Sequence, residues 1–135
     1  MLVSKTSRYA LQSAALLAGR WHEGTAAQAA EIAESTGIPK NYLSKILHQL
    51  ARQGVFLSER GPKGGFRLAR DPAEISLAEV IEPVEPGLTE PHCLLGRDTC
   101  SDRDPCQAHA GWKALSDEVR RFLDETSLAE LVHRH

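Results

Sequence analysis

Residues 25–54 read TAAQAAEIAESTGIPKNYLSKILHQLARQG, and the spacing of their apolar residues predicts two short helices. Thr25 with Gln28 three residues later has the pattern of a capping box, and Gly37 is a typical stop for the first helix. Pro39 fits the first turn of the second helix, where a missing N–H does no harm. Two short helices joined by a brief turn that contains glycine are typical of a helix-turn-helix.

The periodicity changes from helical to β-type in residues 55–70. VFLSER and GFRLAR are short strand-like runs, and GPKG between them supplies the turn. The glycines are not a phosphate-binding loop, because the Gly-Lys-Ser/Thr ending is missing and a strand-like run follows in place of a helix. A β-hairpin directly after a helix-turn-helix predicts a wing.

The flanking segments predict further helices. Ser4 can cap a first helix that runs to about Trp21. Ser76 with Glu79 forms another capping box, which opens a brief helix to about Ile81. The predicted fold class is therefore mainly α, a winged helix-turn-helix with a small β-hairpin wing.

A long helix is predicted from about Pro105, and Ser127 begins a final short helix. Apolar residues of the long helix fall three, four and three positions apart: Trp112, Leu115, Val119 and Phe122. This narrow, heptad-like seam is the kind that packs between helices.

Charge is distributed unevenly along the 135 residues. Residues 1–70 contain ten Lys and Arg against four Glu, a net charge of +6, and the remainder carries −8. This split suggests that the first half meets a polyanion. No apolar run approaches the length of a membrane span, and we expect a cytoplasmic protein. The sequence gives no support for an enzyme.

The second helix of a helix-turn-helix lies in the major groove, with its first residues at the base edges. The candidates for DNA contact on this helix are Lys40, Asn41, Tyr42, Ser44 and Lys45. His48 is also on this helix, but a surface or packing role suits it better than base reading. Arg60 and Lys63 at the wing tip could reach the minor groove. The alternative is that these cations form an ordinary solvated face, but the joint occurrence of both motifs with the positive charge favours DNA.

All three cysteines lie in HCLLGRDTCSDRDPCQAHAGW, residues 92–112. The gaps are six residues from Cys93 to Cys100, five to Cys106 and two to His109. Structural zinc sites usually contain a tighter pair of cysteines. Wide spacing suits an iron–sulfur cluster, which takes four ligands, and His109 could supply the fourth. Three incidental cysteines remain an alternative, although their charged surroundings are unlike those of buried free thiols.

The chain resembles the winged-helix iron–sulfur and nitric-oxide-sensing repressors typified by IscR and NsrR. The resemblance rests on six stretches and the three cysteines: KTSRYAL, GIPKNYL, RGPKGGF, EISLAEVIEPVE, HAGWKALSDEV and SLAELV. It implies a homodimer joined through the long helix. It also implies binding of double-stranded operator DNA through Asn41, Tyr42, Ser44 and Arg60.

The resemblance also implies a cofactor. In IscR-like members three cysteines and a histidine hold a 2Fe-2S cluster, and the matching positions here are Cys93, Cys100, Cys106 and His109. In NsrR-like members an aspartate near the N-terminus can ligate a 4Fe-4S cluster, but Arg8 occupies that place here. The first cysteine gap is one residue longer than the family's usual five. Ser44 stands where an acidic residue helps IscR to distinguish operator classes.

We therefore expect a DNA-binding transcriptional regulator, a repressor that senses redox state, nitric oxide or iron–sulfur status. The expected organisation is a DNA-binding domain at 1–82, a cluster-binding loop at 83–106 and a dimerisation helix with a short final helix at 107–135. Two other functions stay open. One is a winged-helix regulator that senses oxidants by bare thiols, and the other is a small iron–sulfur electron carrier.

Overall fold

The structure is a computed structural model, described for residues 3–87 and 109–132. The helices and strands, in chain order, are α1 (Lys5–Gly19), α2 (Ala29–Thr36), α3 (Lys40–Arg52), β1 (Phe56–Glu59), β2 (Gly65–Leu68), α4 (Leu77–Ile81) and α5 (His109–Glu125). Short 3-10 turns occur at Trp21–Glu23, Pro72–Glu74 and Leu128–Leu131. The described elements confirm the predicted fold class, since they comprise five α-helices and one two-stranded hairpin.

Helix α1 begins where the sequence predicts. The backbone N–H of Ser7 donates to the Ser4 hydroxyl at 3.1 Å, which satisfies one of the free donors of the first turn. The helix ends at Gly19, slightly before the predicted Trp21, and a 3-10 turn continues to Gly24. Gly24 has a positive φ of 66°, which ends the turn and redirects the chain towards α2.

The predicted start of α2 at Thr25 is wrong. The helix begins at Ala29, and Gln28 at its N-cap makes no side-chain capping bond. Ala27 instead pairs as a β-bridge with Phe66 of the wing, its N–H and C=O bonding in both directions at 2.9 and 2.8 Å. Extended backbone at Ala27 excludes helix there, so a long-range pairing overrides the local capping pattern. The predicted end at Gly37 is confirmed.

Helix α3 is amphipathic. Pro39 is its N-cap, one position before the predicted first turn. Four of its residues are buried in the core: Leu43, Ile46, Leu47 and Leu50. They recur three and four positions apart, so that they form one face, and the opposite face is left to solvent.

The wing is an antiparallel hairpin whose register runs from Phe56 opposite Leu68 to Glu59 opposite Gly65. Gly65 has a φ of 139°, and a side chain there would collide with the backbone of Ala27. Only glycine therefore allows the wing to pack so closely against the strand-like residue that precedes α2.

The C-terminal elements share the core of the N-terminal ones. Leu123 of α5 and Leu128 are both buried in the same hydrophobic cluster as α1 and α3. The N–H of Leu77 donates to the Thr126 carbonyl, and the N–H of Leu128 donates to the Ile75 carbonyl, each at 2.9 Å. The end of α5 is thereby attached to α4, and α5 is oriented relative to the winged helix-turn-helix.

The predicted capping box of Ser76 and Glu79 forms, and a second one occurs at Ser127. Ser76 and Glu79 exchange bonds of 2.8 and 3.2 Å at the start of α4. Ser127 and Glu130 do the same at the last element, which is a 3-10 turn in place of an α-helix.

Candidate nucleic-acid interface and cysteine segment

The outward face of α3 is polar. The five α3 residues predicted to contact DNA are all exposed: Lys40, Asn41, Tyr42, Ser44 and Lys45. Burial of the opposite, leucine-rich face in the core fixes which way they point. An exposed helix of this kind, preceded by a short helix and a turn, has the form that enters a major groove.

Tyr42 lies at the edge of this face next to α1. Its side chain is 55% exposed, and its ring packs edge-on against Tyr9, with centroids 6.2 Å apart and planes at 68°. Such edge-to-face pairs hold a ring in a preferred orientation. The contact with Tyr9 was not predicted, because the two residues are far apart in the sequence and belong to different helices.

Arg60 and Lys63 lie in the exposed turn of the wing, as predicted. The side-chain amide of Gln28 donates to the Pro62 carbonyl at 3.1 Å, and the N–H of Gly64 closes the turn by donating to Gly61 at 2.9 Å. The wing tip is therefore held against the start of α2, at a fixed distance from α3.

Several arginines of the N-terminal half are already paired. Arg67 contacts Glu59 across the outer face of the wing at 2.7 Å, and Arg20 contacts Glu31. The hydrogen bond between the latter pair raises the pKa of Arg20 and lowers the pKa of Glu31.

In contrast, four cations of the candidate interface form no ion pair with any carboxylate of the described residues: Lys40, Lys45, Arg60 and Lys63. They remain available to phosphates.

His48 occupies the angle between α3 and the wing. It is exposed, its Nδ1 donates to the Ser44 carbonyl at 2.7 Å, and its ring packs edge-on against Phe66. The sequence suggested a surface or packing residue, and the structure shows that His48 is both.

Cys93, Cys100 and Cys106 lie outside the described residues, as does the side chain of His109, whose backbone opens α5. Within residues 3–87 and 109–132, no group of three or more His, Cys, Asp or Glu side chains is placed to hold a metal ion. The predicted cluster ligands therefore stay a prediction.

The segment that leads into the cysteines is attached to α1. The buried hydroxyl of Ser7 donates to the Glu85 carboxylate at 2.6 Å. Ser7 is two residues before Tyr9, which contacts Tyr42 of α3. One turn of α1 thus touches both the pre-cysteine segment and the outward-facing helix.

Helix α5 leaves part of its predicted seam uncovered. Leu115 is 48% exposed and Phe122 is 59% exposed, whereas Val119 packs against the core. An exposed pair of large apolar residues one heptad apart is the pattern of a helix that packs against another helix.

These features together define a class: a winged helix-turn-helix transcriptional regulator with an additional C-terminal helix. Residues 3–134 match the family model described as "Rrf2: Iron-dependent Transcriptional regulator", and the chain belongs to this Rrf2 family. It is accordingly a regulator of transcription and not an enzyme.

Related sequences and structures agree with this assignment. The chain is 38% identical over 133 residues to the HTH-type transcriptional regulator IscR of Photorhabdus laumondii, covering 98% of this chain and 80% of the relative. The structure of T. potens IscR superposes with a TM-score of 0.76 at 26% identity, covering 96% of this chain and 84% of that one.

A second solved relative is CymR of B. subtilis, described as the global cysteine regulator. Its TM-score is 0.78 at 26% identity, with 96% of this chain and 94% of that chain covered. CymR of Staphylococcus aureus, in a structure titled as its oxidized form, has a TM-score of 0.76 at 26% identity, with 100% of this chain and 98% of that chain covered.

None of the helices in the described parts of the chain is long and apolar enough to cross a membrane.

Proposed function

We propose that the protein is a homodimeric, cytoplasmic repressor that binds double-stranded operator DNA and senses redox state, nitric oxide or iron–sulfur status through a 2Fe-2S cluster. The proposed ligands are Cys93, Cys100, Cys106 and His109. The proposed DNA contacts are Lys40, Asn41, Tyr42, Ser44, Lys45, Arg60 and Lys63. The proposed organisation keeps the DNA-binding domain at 1–82, the cluster-binding loop at 83–106 and the dimerisation helix at 107–135.

The observation that carries the proposal is that the described residues on either side of the cysteine segment adjoin α1 and α5. His109 is the first residue of α5, the helix that exposes Leu115 and Phe122. Glu85, shortly before the cysteines, is bonded to α1 at Ser7. A change in the cysteine segment can therefore act on the helix proposed for dimerisation and on the helix that supports α3.

The donor set fits an iron–sulfur cluster in kind and number, since three thiolates and one imidazole make up the usual four ligands. When bound, such a cluster supplies a one-electron redox change. The residues of this chain would have a separate task, which is to convert the state of the segment from Cys93 to His109 into the spacing of two recognition helices. Half-sites about 34 Å apart can be reached together only at the correct spacing.

The proposal is tested by anaerobic purification, followed by measurement of iron, sulfide and visible absorbance. We expect the wild type to be coloured, Cys106→Ala to lose iron, and His109→Ala to lose or weaken the cluster. His92→Ala is the matched control, because His92 adjoins Cys93 but is not a proposed ligand. A wild type that stays colourless and free of iron after anoxic reconstitution contradicts the cluster.

A second candidate function is sensing by bare thiols. It is favoured by the similarity to CymR, for which a structure of an oxidized form exists. In this case the iron-free protein changes its DNA affinity after peroxide treatment, and mass spectrometry detects an oxidised cysteine. Unchanged affinity of the iron-free protein, with oxidised thiols, excludes it.

A further inference from the structure

His48 projects from the outward face of α3 at the junction with the wing. It lies one turn after Ser44 and two turns after Asn41, so the helical repeat places all three on one side. Its ring packs edge-on against Phe66 of β2, with centroids 5.9 Å apart and planes at 70°. Phe66 is in turn bonded through its backbone to Ala27. The imidazole is thus held in place by two elements of the candidate interface.

The hydrogen bond of His48 fixes the roles of its two nitrogens. Nδ1 lies 2.7 Å from the Ser44 carbonyl oxygen, which can only accept, so Nδ1 carries the proton. In a neutral imidazole one nitrogen donates and the other accepts. Nε2 is therefore presented as a hydrogen-bond acceptor, and no bond to it from the described residues occupies this role.

An acceptor at this position has few partners on DNA. Phosphate and deoxyribose ring oxygens only accept, so they cannot bond to it. In the major groove the donors are the exocyclic amines, N6 of adenine and N4 of cytosine. Lys45 lies three residues before His48 on α3 and Arg52 four residues after it, and these cations suit phosphates. The wing residue that contacts the His48 ring is the uncharged Phe66.

We propose that His48 is a specificity-determining residue, which accepts a hydrogen bond at Nε2 from the exocyclic amine of an adenine or cytosine in each half-site. This inference rests on the proposed binding of operator DNA through α3. It adds to the recognition surface a residue to which the sequence analysis gave a surface or packing role.

The test begins with selection of preferred sites from a random duplex pool by the wild-type protein. Each adenine of the selected half-site is then replaced by purine, which lacks the N6 amine. Each cytosine is replaced by 2-pyrimidinone, which lacks the N4 amine. We expect one such replacement per half-site to weaken wild-type binding by about tenfold, and its identity tells adenine from cytosine.

Two variants distinguish recognition of a base by His48 from packing of its ring against Phe66. His48→Phe keeps a ring against Phe66 without an acceptor, and it should bind the intact and the amine-free site equally well. His48→Gln retains an acceptor near the position of Nε2 and should restore part of the discrimination. Leu57→Ala, on the exposed face of the wing, is the control that should leave discrimination unchanged.

The outcomes distinguish this inference from the proposed function. If the wild type selects an operator but His48→Phe shows the same loss as the wild type at every amine-free position, His48 does not read bases and the inference is overturned. A uniform loss of affinity across all sequences in His48→Phe also overturns it, since it indicates a backbone or packing role. A wild type that selects no sequence at all overturns both.

Discussion

Helices α3 and α5 differ in how completely the single chain buries their apolar residues. Every large aliphatic side chain of α3 is buried, and what remains outside is polar or cationic apart from Tyr42. Helix α5 buries Leu123 but exposes Leu115 and Phe122. The difference indicates different partners: a polar, positively charged face suits a polyanion, and an uncovered apolar stripe suits another apolar surface.

The largest expected effect is on the free energy of unfolding, when a leucine of each helix is truncated to alanine. Leu47→Ala in α3 should lower the free energy of unfolding by about 2–5 kcal/mol, because Leu47 is fully buried and its removal leaves a cavity. Leu115→Ala in α5 should cost the folded monomer far less. Urea denaturation at low protein concentration measures both. Similar losses would show that Leu115 is covered within the chain and that α5 has no uncovered apolar stripe.

Association between two copies of the chain should depend on the exposed apolar residues of α5. Phe122→Glu introduces a charge into the exposed stripe of α5 and should weaken dimerisation by about 2–4 kcal/mol if this residue is central to the interface. Sedimentation over a range of concentrations reports the change. Asp124→Lys, at an exposed position on the side of the same helix away from Leu115, is the control for a change of charge. A dimer unaffected by Phe122→Glu would place the interface elsewhere.

DNA affinity should depend on the cations of the wing and not on those of α5. Arg60→Ala should weaken binding to a selected operator by about 1–3 kcal/mol, because Arg60 is exposed at the wing tip and unpaired among the described residues. Arg121→Ala, which removes an exposed arginine paired with Glu118 on α5, is the matched control. Titrations of each variant with operator DNA at constant salt measure the two losses of affinity. Equal losses would show that the wing is not part of the interface.

The bond between Ser7 and Glu85 is a possible route from the cysteine segment to α1, and it can be removed by mutation. Ser7→Ala removes the donor that attaches the pre-cysteine segment to α1. If the bond transmits cluster state, the difference in operator affinity between cluster-loaded and cluster-free protein should shrink by about 0.5–2 kcal/mol. Ser13→Ala is the control, because that buried hydroxyl bonds only to the Tyr9 carbonyl of its own helix. An undiminished difference in Ser7→Ala rules out this route.

The smallest effect concerns α4, which packs against α1 and α5. Partial burial acts to raise the pKa of Glu79, but bonds from the Ser76 N–H and Arg70 outweigh it and the pKa is lowered. The carboxylate therefore stabilises the fold above its ordinary pKa, and this contribution is lost as the pH falls through the lowered value. Since the side chain is substantially exposed, Glu79→Gln should cost at most about 1 kcal/mol near neutral pH and less in acid.

Denaturation of Glu79→Gln and the wild type from neutral pH down to about pH 3 measures this difference. A gap between them that widens as the pH falls would contradict the assigned role of the Glu79 carboxylate.

Local patterns in the sequence predicted most of the elements. Ser4, Ser76 and Gly37 mark helix ends by interactions with residues at most four positions away, and such interactions can be read from spacing. The exposed polar face of α3 and the position of the wing cations followed from the same helical and strand periods. The ligand set of Cys93, Cys100, Cys106 and His109 was also proposed from sequence, and it stays a prediction.

Tertiary structure decided what depends on residues distant in the chain. The start of α2 moved from Thr25 to Ala29 because Ala27 pairs with Phe66, a contact that no local pattern encodes. The proton position on His48 depends on a local bond to Ser44, but its place between α3 and the wing depends on packing against Phe66. Capping and periodicity are set by neighbours in sequence, whereas β-pairing and ring packing are set by neighbours in space.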